Sequence, residues 1–140
     1  MELKLDEGAL MEFLAREFPQ VCDDFAIDSL TPQGLRVRLR VADRHLRPGG
    51  TVSGPSMFAL ADVSVYLAIL ARLGPVALAV TTNCSIDFMR KPASGADLLC
   101  DTRLLKLGRS LAVGDAMLFS EGTDQPVARA GLTYAIPPAP

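Results

Sequence analysis

The chain is organised around SGPSMFALADVSVYLAILAR, residues 53–72. Ser53 can cap a helix here, because its side-chain oxygen accepts a hydrogen bond from a first-turn N–H. Pro55 suits the first turn, where its missing N–H would have no partner, and Gly74-Pro75 ends the helix. Nearly every residue between these signals is apolar. The pattern therefore predicts a helix over 53–73 that is buried on all sides.

Asp62 is the one carboxylate within this apolar helix. A lone charge in apolar surroundings is costly unless it is paired or has a function. Chemistry alone leaves two interpretations open: a structural carboxylate bonded to the backbone or to Ser64, and a functional group in a site. Asp62 is therefore the first candidate site residue.

The sequence on both sides of the helix alternates in the manner of β-strands. In residues 34–42, Arg36, Arg38 and Arg40 alternate with apolar residues and are expected on a solvated face. Further strands are predicted over 25–30, 78–89, 98–106, 111–120 and 127–136, with a helix within 1–20 and a tail at 137–140. Within 78–89, one face is expected to carry Val80, Thr82, Cys84, Ile86 and Phe88. The predicted fold class is α+β, with one long central helix wrapped by a curved antiparallel sheet of about five to six strands.

Length and composition limit the classes of function. At 140 residues the chain is expected to be a single domain, 1–140. The formal net charge of -2 gives no basic footprint for nucleic acid, and the N-terminus lacks the basic and apolar runs of a signal peptide. The three cysteines and one histidine do not have metal-ligand spacing. We therefore expect a cytoplasmic protein with no nucleic-acid partner, no membrane span and no metal.

Four motifs, taken together in this order, resemble the PaaI-type acyl-CoA thioesterase family, which has the hot-dog fold. They are GTVSGP (50–55), FALAD (58–62), VTTNCSIDFMRKP (80–92) and LLKLGRSLAV (104–113). The resemblance extends from about residue 35 to the end of the chain. The chain departs from the family pattern where Ser53 replaces a histidine, Pro55 replaces a glycine and Arg47 replaces an asparagine.

The resemblance implies hydrolysis of a thioester to a free acid and coenzyme A, with no cofactor beyond the coenzyme A of the substrate. Asp62 would be the catalytic acid residue, as general base or as nucleophile, and Thr81 would help to hold the water. The Gly54 amide, at a helix N-terminus, is suited to an oxyanion hole. Positively charged side chains near turns are candidates for the coenzyme A phosphates. The expected substrate-binding residues are Ser53, Arg47, Arg90, Lys91, Gly108, Arg109 and Ser110.

Gly54 and Asp62 are eight positions apart on one helix, which is roughly 12 Å along its axis. One reacting carbonyl cannot contact both, so a shared site needs two subunits related by a two-fold axis. The resemblance implies the same homodimer, with two sheets joined edge to edge, and in some members a dimer of dimers.

Two other functions stay open at this point. The departures at Ser53, Pro55 and Arg47 motivate a hot-dog protein that binds acyl-CoA or another acyl ligand without turnover. A hot-dog hydratase is less favoured, because the one histidine, His45, lies outside the helix. A surface or capping role is expected for His45.

Overall fold

Apolar side chains of the strands pack against the apolar central helix in the computed structural model, which describes residues 2–138. The helices are α1 (Glu7–Glu17) and α2 (Gly54–Leu73), and the strands are β1 (Phe25–Thr31), β2 (Gly34–Leu39), β3 (Val80–Phe88), β4 (Leu98–Leu107), β5 (Leu111–Ser120) and β6 (Ala128–Ala135). The predicted N-terminal helix and C-terminal tail fall partly on residues 1, 139 and 140, which lie outside the described residues.

The six strands form one antiparallel sheet with the order β1-β2-β4-β5-β6-β3. The helix α2 contacts β2, β3, β4, β5 and β6, so the sheet wraps around it. This arrangement confirms the predicted α+β class and agrees with the hot-dog fold. It places β1 at one edge of the sheet and β3 at the other.

The helix α2 begins one residue after the predicted start and ends at Leu73, as predicted. The Ser53 side chain accepts a hydrogen bond from the Ser56 N–H, which confirms the predicted cap. After Leu73, Gly74 takes a φ of 89°, a conformation that glycine adopts without steric cost.

Among residues 2–138, α2 is the one helix that is long and apolar enough to cross a membrane. However, 67% of its most apolar 18-residue stretch is buried inside the fold. Burial is less complete at its N-terminal end than the sequence predicts, since Phe58 is 37% exposed. The helix is therefore the core of this fold, with one end open to solvent.

Close contact between α2 and β5 depends on Gly114. A Cβ at this position would lie 2.7 Å from Val65 Cγ1 and 2.9 Å from Cγ2, closer than carbon atoms pack. The helix can approach the strand this closely because position 114 carries no side chain. Val65 is about one turn from Asp62, so the contact also sets the position of Asp62 relative to the sheet.

A β-bulge in β3 changes which side chains face the helix. The register shifts between Thr81 and Asn83, which leaves Thr82 as the extra residue. One extra residue reverses the two-residue alternation. The predicted common face is therefore wrong at its first two positions: Val80 and Thr82 are exposed, whereas Thr81 turns toward α2.

The outer face of the sheet carries ion pairs, and the prediction of a solvated arginine is wrong at Arg38, whereas Arg36 is paired but still 40% exposed. The Arg36 Nε donates to Asp101 Oδ1 at 2.6 Å. The Arg38 side chain is only 23% exposed, because carboxylates from three neighbouring segments surround its guanidinium group. Those carboxylates are Asp28, Asp97 and Glu121.

Candidate active site

Asp62 on α2 is the centre of a small hydrogen-bonded cluster. The Thr81 Oγ1 donates to Asp62 Oδ1 at 2.5 Å, and the Tyr134 hydroxyl donates to the same oxygen at 2.6 Å. Asp62 is partly exposed, so it is not the wholly buried charge that the apolar helix suggests. The alternative of a bond to Ser64 is wrong, because the Ser64 hydroxyl donates to the Leu60 carbonyl at 2.6 Å.

The sheet brings the two donors together although they are far apart in sequence. Thr81 on β3 and Tyr134 on β6 are directly paired across the two strands, and the adjacent bulge in β3 turns Thr81 inward. Side chains of directly opposed residues in an antiparallel pair lie close together. Both hydroxyls therefore meet the carboxylate from the same side.

Tyr134 is only 3% exposed, and its ring stacks on Tyr66 with centroids 6.2 Å apart. Burial, and then the negative charge of Asp62, raise the pKa of the Tyr134 phenol above its usual range. The hydroxyl therefore stays protonated and acts as a donor to Asp62. On the other side of the stack, the Tyr66 hydroxyl donates to the Ala77 carbonyl at 3.0 Å.

A cleft of about 220 Å³ opens beside Asp62. Its polar lining includes Thr81, Tyr134 and Glu17 from the end of α1. The remaining walls are mainly apolar and are formed by Phe18, Val63, Tyr66, Ala77, Ala79 and Val80. A carboxylate beside a small apolar cleft can act on a polar reacting group whose apolar part fills the cleft.

The start of α2 is a second region that could take part in a reaction. The Gly54 N–H has no acceptor among the described residues, as expected for the first amide of a helix, and it can donate to an oxyanion. A Cβ on Gly54 would lie 3.4 Å from Phe88 Cζ, so the β3 aromatic ring covers one side of this position. The Ser53 N–H donates to the His45 carbonyl at 2.8 Å, which anchors the residue before the helix.

His45 has the capping role that the sequence predicts, but it is not on the surface. Its Nδ1 accepts a hydrogen bond from the Ala42 N–H at 2.8 Å, and its Nε2 lies 3.3 Å from Asp24 Oδ2. The side chain is only 6% exposed. His45 thus supports the backbone that leads into Ser53.

One subunit does not bring all the predicted site residues together. Asp62 and Thr81 meet in the middle of α2, whereas Gly54 and Ser53 are at its N-terminal end. The exposed loop residue Arg47 precedes this end.

The other predicted substrate-binding residues fall into two groups. Arg90 and Lys91 follow β3 and are exposed, and the Arg90 guanidinium donates to the Pro126 carbonyl at 2.7 Å. The β4–β5 turn, Gly108–Ser110, lines a pocket with Leu73, at the C-terminal end of α2.

Tyr134 is a residue of this cluster that the sequence does not predict. The available signal is chemical: a tyrosine in an alternating strand pattern buries its ring and needs a partner for its hydroxyl. Nothing in the spacing indicates that this partner is Asp62.

No three His, Cys, Asp or Glu side chains within residues 2–138 lie together in a way that could hold a metal ion.

The chain belongs to the thioesterase superfamily, whose family model matches residues 49–127, more than half of its length. The matched residues include Gly54, Asp62 and Thr81 but end before Tyr134. Membership of this family supports a hydrolase of the thioesterase type.

Among its relatives is the Pseudomonas aeruginosa protein named "Putative esterase PA0474", which is 35% identical over 86 residues. That match covers 61% of this chain and 64% of the relative, so the chain spans less than two thirds of the length of this curated relative. A solved structure of a "putative thioesterase" from Silicibacter sp. TM1040 is 64% identical with a TM-score of 0.93, covering 99% of this chain and 96% of that one.

Two further solved structures are similar at lower identity. A mutant of the phenylacetic acid degradation protein PaaI from Thermus thermophilus is 29% identical with a TM-score of 0.72, covering 85% of this chain and 99% of that one. The protein smu.793 from Streptococcus mutans UA159, solved bound to acetyl-CoA, is 27% identical with a TM-score of 0.72, covering 81% of this chain and 89% of that one. The resemblance to the PaaI family inferred from the motifs is thereby confirmed.

Proposed function

We propose that this protein is an acyl-CoA thioesterase that hydrolyses a thioester to a free acid and coenzyme A. The observation that carries the proposal is the Asp62 carboxylate, held by two hydroxyl donors beside an apolar cleft, in a chain of the thioesterase superfamily. The acetyl-CoA bound to the Streptococcus mutans protein supports a coenzyme A ester as the substrate class.

Asp62 acts as a general base in the proposed reaction. It takes a proton from a water molecule while the water oxygen forms a bond to the thioester carbonyl carbon. The Gly54 N–H donates to the oxygen on which negative charge develops. The carbon–sulfur bond then breaks, the proton passes to the leaving thiolate, and the products are a carboxylic acid and the coenzyme A thiol.

The active unit is a homodimer, because Gly54 and Asp62 of one subunit are roughly 12 Å apart along α2. The free edge strand β3 supports this assembly. It carries exposed apolar side chains, with Val80 57% and Phe88 53% exposed, and an unpaired strand edge is a template for pairing with another chain. Pairing of two β3 strands about a two-fold axis would set the N-terminus of one α2 toward Asp62 of the partner subunit.

Cationic residues near both ends of α2 are proposed to bind the phosphates of coenzyme A. Arg47, Arg90 and Lys91 lie near the N-terminal end and are exposed, and Arg109 is exposed in the β4–β5 turn. In a two-fold dimer with antiparallel helices, the N-terminal end of one α2 lies toward the C-terminal end of the other. Both groups could then serve one substrate.

The decisive experiment measures thiol release from short, long and aromatic acyl-CoA esters, with Asp62→Asn as the test variant. We expect Asp62→Asn to lose at least about a hundredfold in kcat while its circular dichroism and melting temperature stay near those of the wild type. The matched control is Asp124→Asn, an exposed turn carboxylate that should turn over normally. Wild-type turnover by Asp62→Asn contradicts the proposal, and saturable acyl-CoA binding without thiol release favours the non-catalytic binding protein instead.

A subunit-mixing experiment tests the shared site. Asp62→Asn and Gly54→Val, each inactive alone, are denatured together at equal amounts and refolded. Random pairing makes about half of the dimers hybrids with one intact site each, so about a quarter of the wild-type activity should return. If no activity returns although hybrids are detected by mass spectrometry, the two residues do not serve one site from different subunits.

A further inference from the structure

Tyr134 contacts the proposed base directly, yet it lies outside the residues that match the family model, 49–127. Its hydroxyl donates to Asp62 Oδ1 at 2.6 Å and also lies 3.0 Å from the Asp62 backbone oxygen. Tyr134 therefore approaches both the side chain and the backbone of the residue on which the proposed reaction depends.

The two hydroxyl donors distinguish the two oxygens of the carboxylate. Thr81 and Tyr134 both donate to Oδ1, whereas no donor lies on Oδ2 in the part of the chain that the structure describes, residues 2–138. The terminal torsion of an aspartate is broad, so a carboxylate without such partners can exchange its oxygens by rotation. With Oδ1 held by two donors, Oδ2 is the oxygen left to accept a proton from water.

The position of the Tyr134 hydroxyl is itself fixed. The ring is 3% exposed, it stacks on Tyr66 at an interplanar angle of 28°, and its strand is paired on both sides, with β5 and with β3. The Tyr66 hydroxyl is in turn bonded to the Ala77 carbonyl. The donor cannot move away from Asp62 without displacing a strand that is paired on both sides or the stacked ring.

We propose that Tyr134 is a positioning residue of the thioesterase reaction: together with Thr81 it holds Oδ1 of Asp62 and so presents Oδ2 to the attacking water. The inference rests on the proposed function, in which Asp62 is the base. A buried tyrosine that merely satisfies its own hydroxyl would contribute to stability and would leave kcat unchanged in a folded variant.

Tyr134→Phe tests this role, because phenylalanine keeps the buried ring and the stack and removes only the hydroxyl. A hydrogen bond to a charged group corresponds to about a ten- to hundredfold change in rate when it acts on the reacting geometry. We expect kcat to fall by that factor while KM stays within about twofold, since Tyr134 does not hold the coenzyme A moiety. Thr81→Val, which removes the other donor to Oδ1, should give the same pattern and serves if Tyr134→Phe does not fold.

The matched control is Thr102→Val on β4. Thr102 is also 3% exposed, so this variant removes an equally buried hydroxyl that lies outside the cleft. It should lose some stability but keep the wild-type kcat. If Tyr134→Phe and Thr102→Val change kcat by the same factor, or if neither changes it, the positioning role is wrong.

The Asp62→Asn result separates this inference from the proposed function. If Asp62→Asn loses thiol release while folded Tyr134→Phe keeps the wild-type kcat, only the role of Tyr134 is overturned. If Asp62→Asn turns over normally, or the wild type releases no thiol from any ester, the proposed function is overturned and the role of Tyr134 with it.

Discussion

Replacing Gly114 by alanine should both destabilise the protein and slow its reaction. The added Cβ would lie 2.7 Å from Val65 Cγ1 and 2.9 Å from Cγ2. Val65 is β-branched, and in a helix valine is almost confined to one rotamer. The side chain therefore cannot turn aside, and α2 must move away from β5.

The size of the effect follows from these distances. Ordinary carbon–carbon contact begins near 3.4 Å, so the gap must widen by about 0.7 Å. Overpacking of this kind costs about 1–3 kcal/mol, and the lower unfolded-state entropy of alanine offsets about 0.4–1 kcal/mol of it. The net loss of about 1–2 kcal/mol should lower the melting temperature by about 3–10 °C for a chain of this length.

The same displacement should reach Asp62, which lies about one turn from Val65. Its bonds to Thr81 and Tyr134 are only 2.5 and 2.6 Å long, so a shift of this size lengthens them. Because misplacement of a catalytic group by about 1 Å can cost about a hundredfold in rate, we expect kcat to fall by about ten- to a hundredfold.

Thermal unfolding and thiol release measured on Gly114→Ala, Val65→Ala and the double variant test the reasoning. Val65→Ala removes both methyl groups that clash with the new Cβ. The double variant should therefore be more stable, and closer to wild type in kcat, than the sum of the single effects predicts. Strictly additive losses, or a Gly114→Ala protein as stable as the wild type, would show that this contact does not set the helix position.

Two further predictions concern the helix start and the outer face of the sheet. Gly54→Ala places a Cβ 3.4 Å from Phe88 Cζ and narrows the approach to the Gly54 amide. Thiol release should therefore slow about tenfold or more, with little change in melting temperature. The control is Gly131→Ala, whose Cβ meets nothing within 4 Å, and equal rates for the two variants would contradict the oxyanion role. Arg38→Ala should lower the free energy of unfolding in urea by about 1–3 kcal/mol, because it leaves three carboxylates without their shared cation. Arg36→Ala, at a more exposed pair with Asp101, should lower it by less than about 1 kcal/mol. A larger loss for Arg36→Ala than for Arg38→Ala would contradict this account.

The features that sequence predicts well are those fixed by local chemistry. Ser53 and Gly74 mark the ends of α2 through capping and backbone freedom, and both act within one turn of the helix. The strands are recognisable because their alternation extends over several residues each. The candidate site at Asp62 is recognisable because a carboxylate within an apolar helix is unusual in itself.

What sequence does not reveal depends on contacts between distant segments. The bulge between Thr81 and Asn83 leaves no mark in composition, so a regular alternation predicts the wrong face of the strand for Thr81. Tyr134 is 72 residues from Asp62, and only the packing of α2 against β6 joins them. Arg38 is expected in solvent from its own strand alone, because its carboxylate partners belong to other segments.

The order of the strands has a consequence for how the chain folds. β3 is hydrogen-bonded to β6 alone among the described strands, so it stays without a sheet partner until β4, β5 and β6 have been synthesised. Closing this long loop is slow because chain entropy is lost before contacts form. Any intermediate without β6 exposes open edges on both β5 and β3, which can pair with other chains. The late pairing of β3 with β6, which brings Tyr134 opposite Thr81, therefore also protects the chain from aggregation.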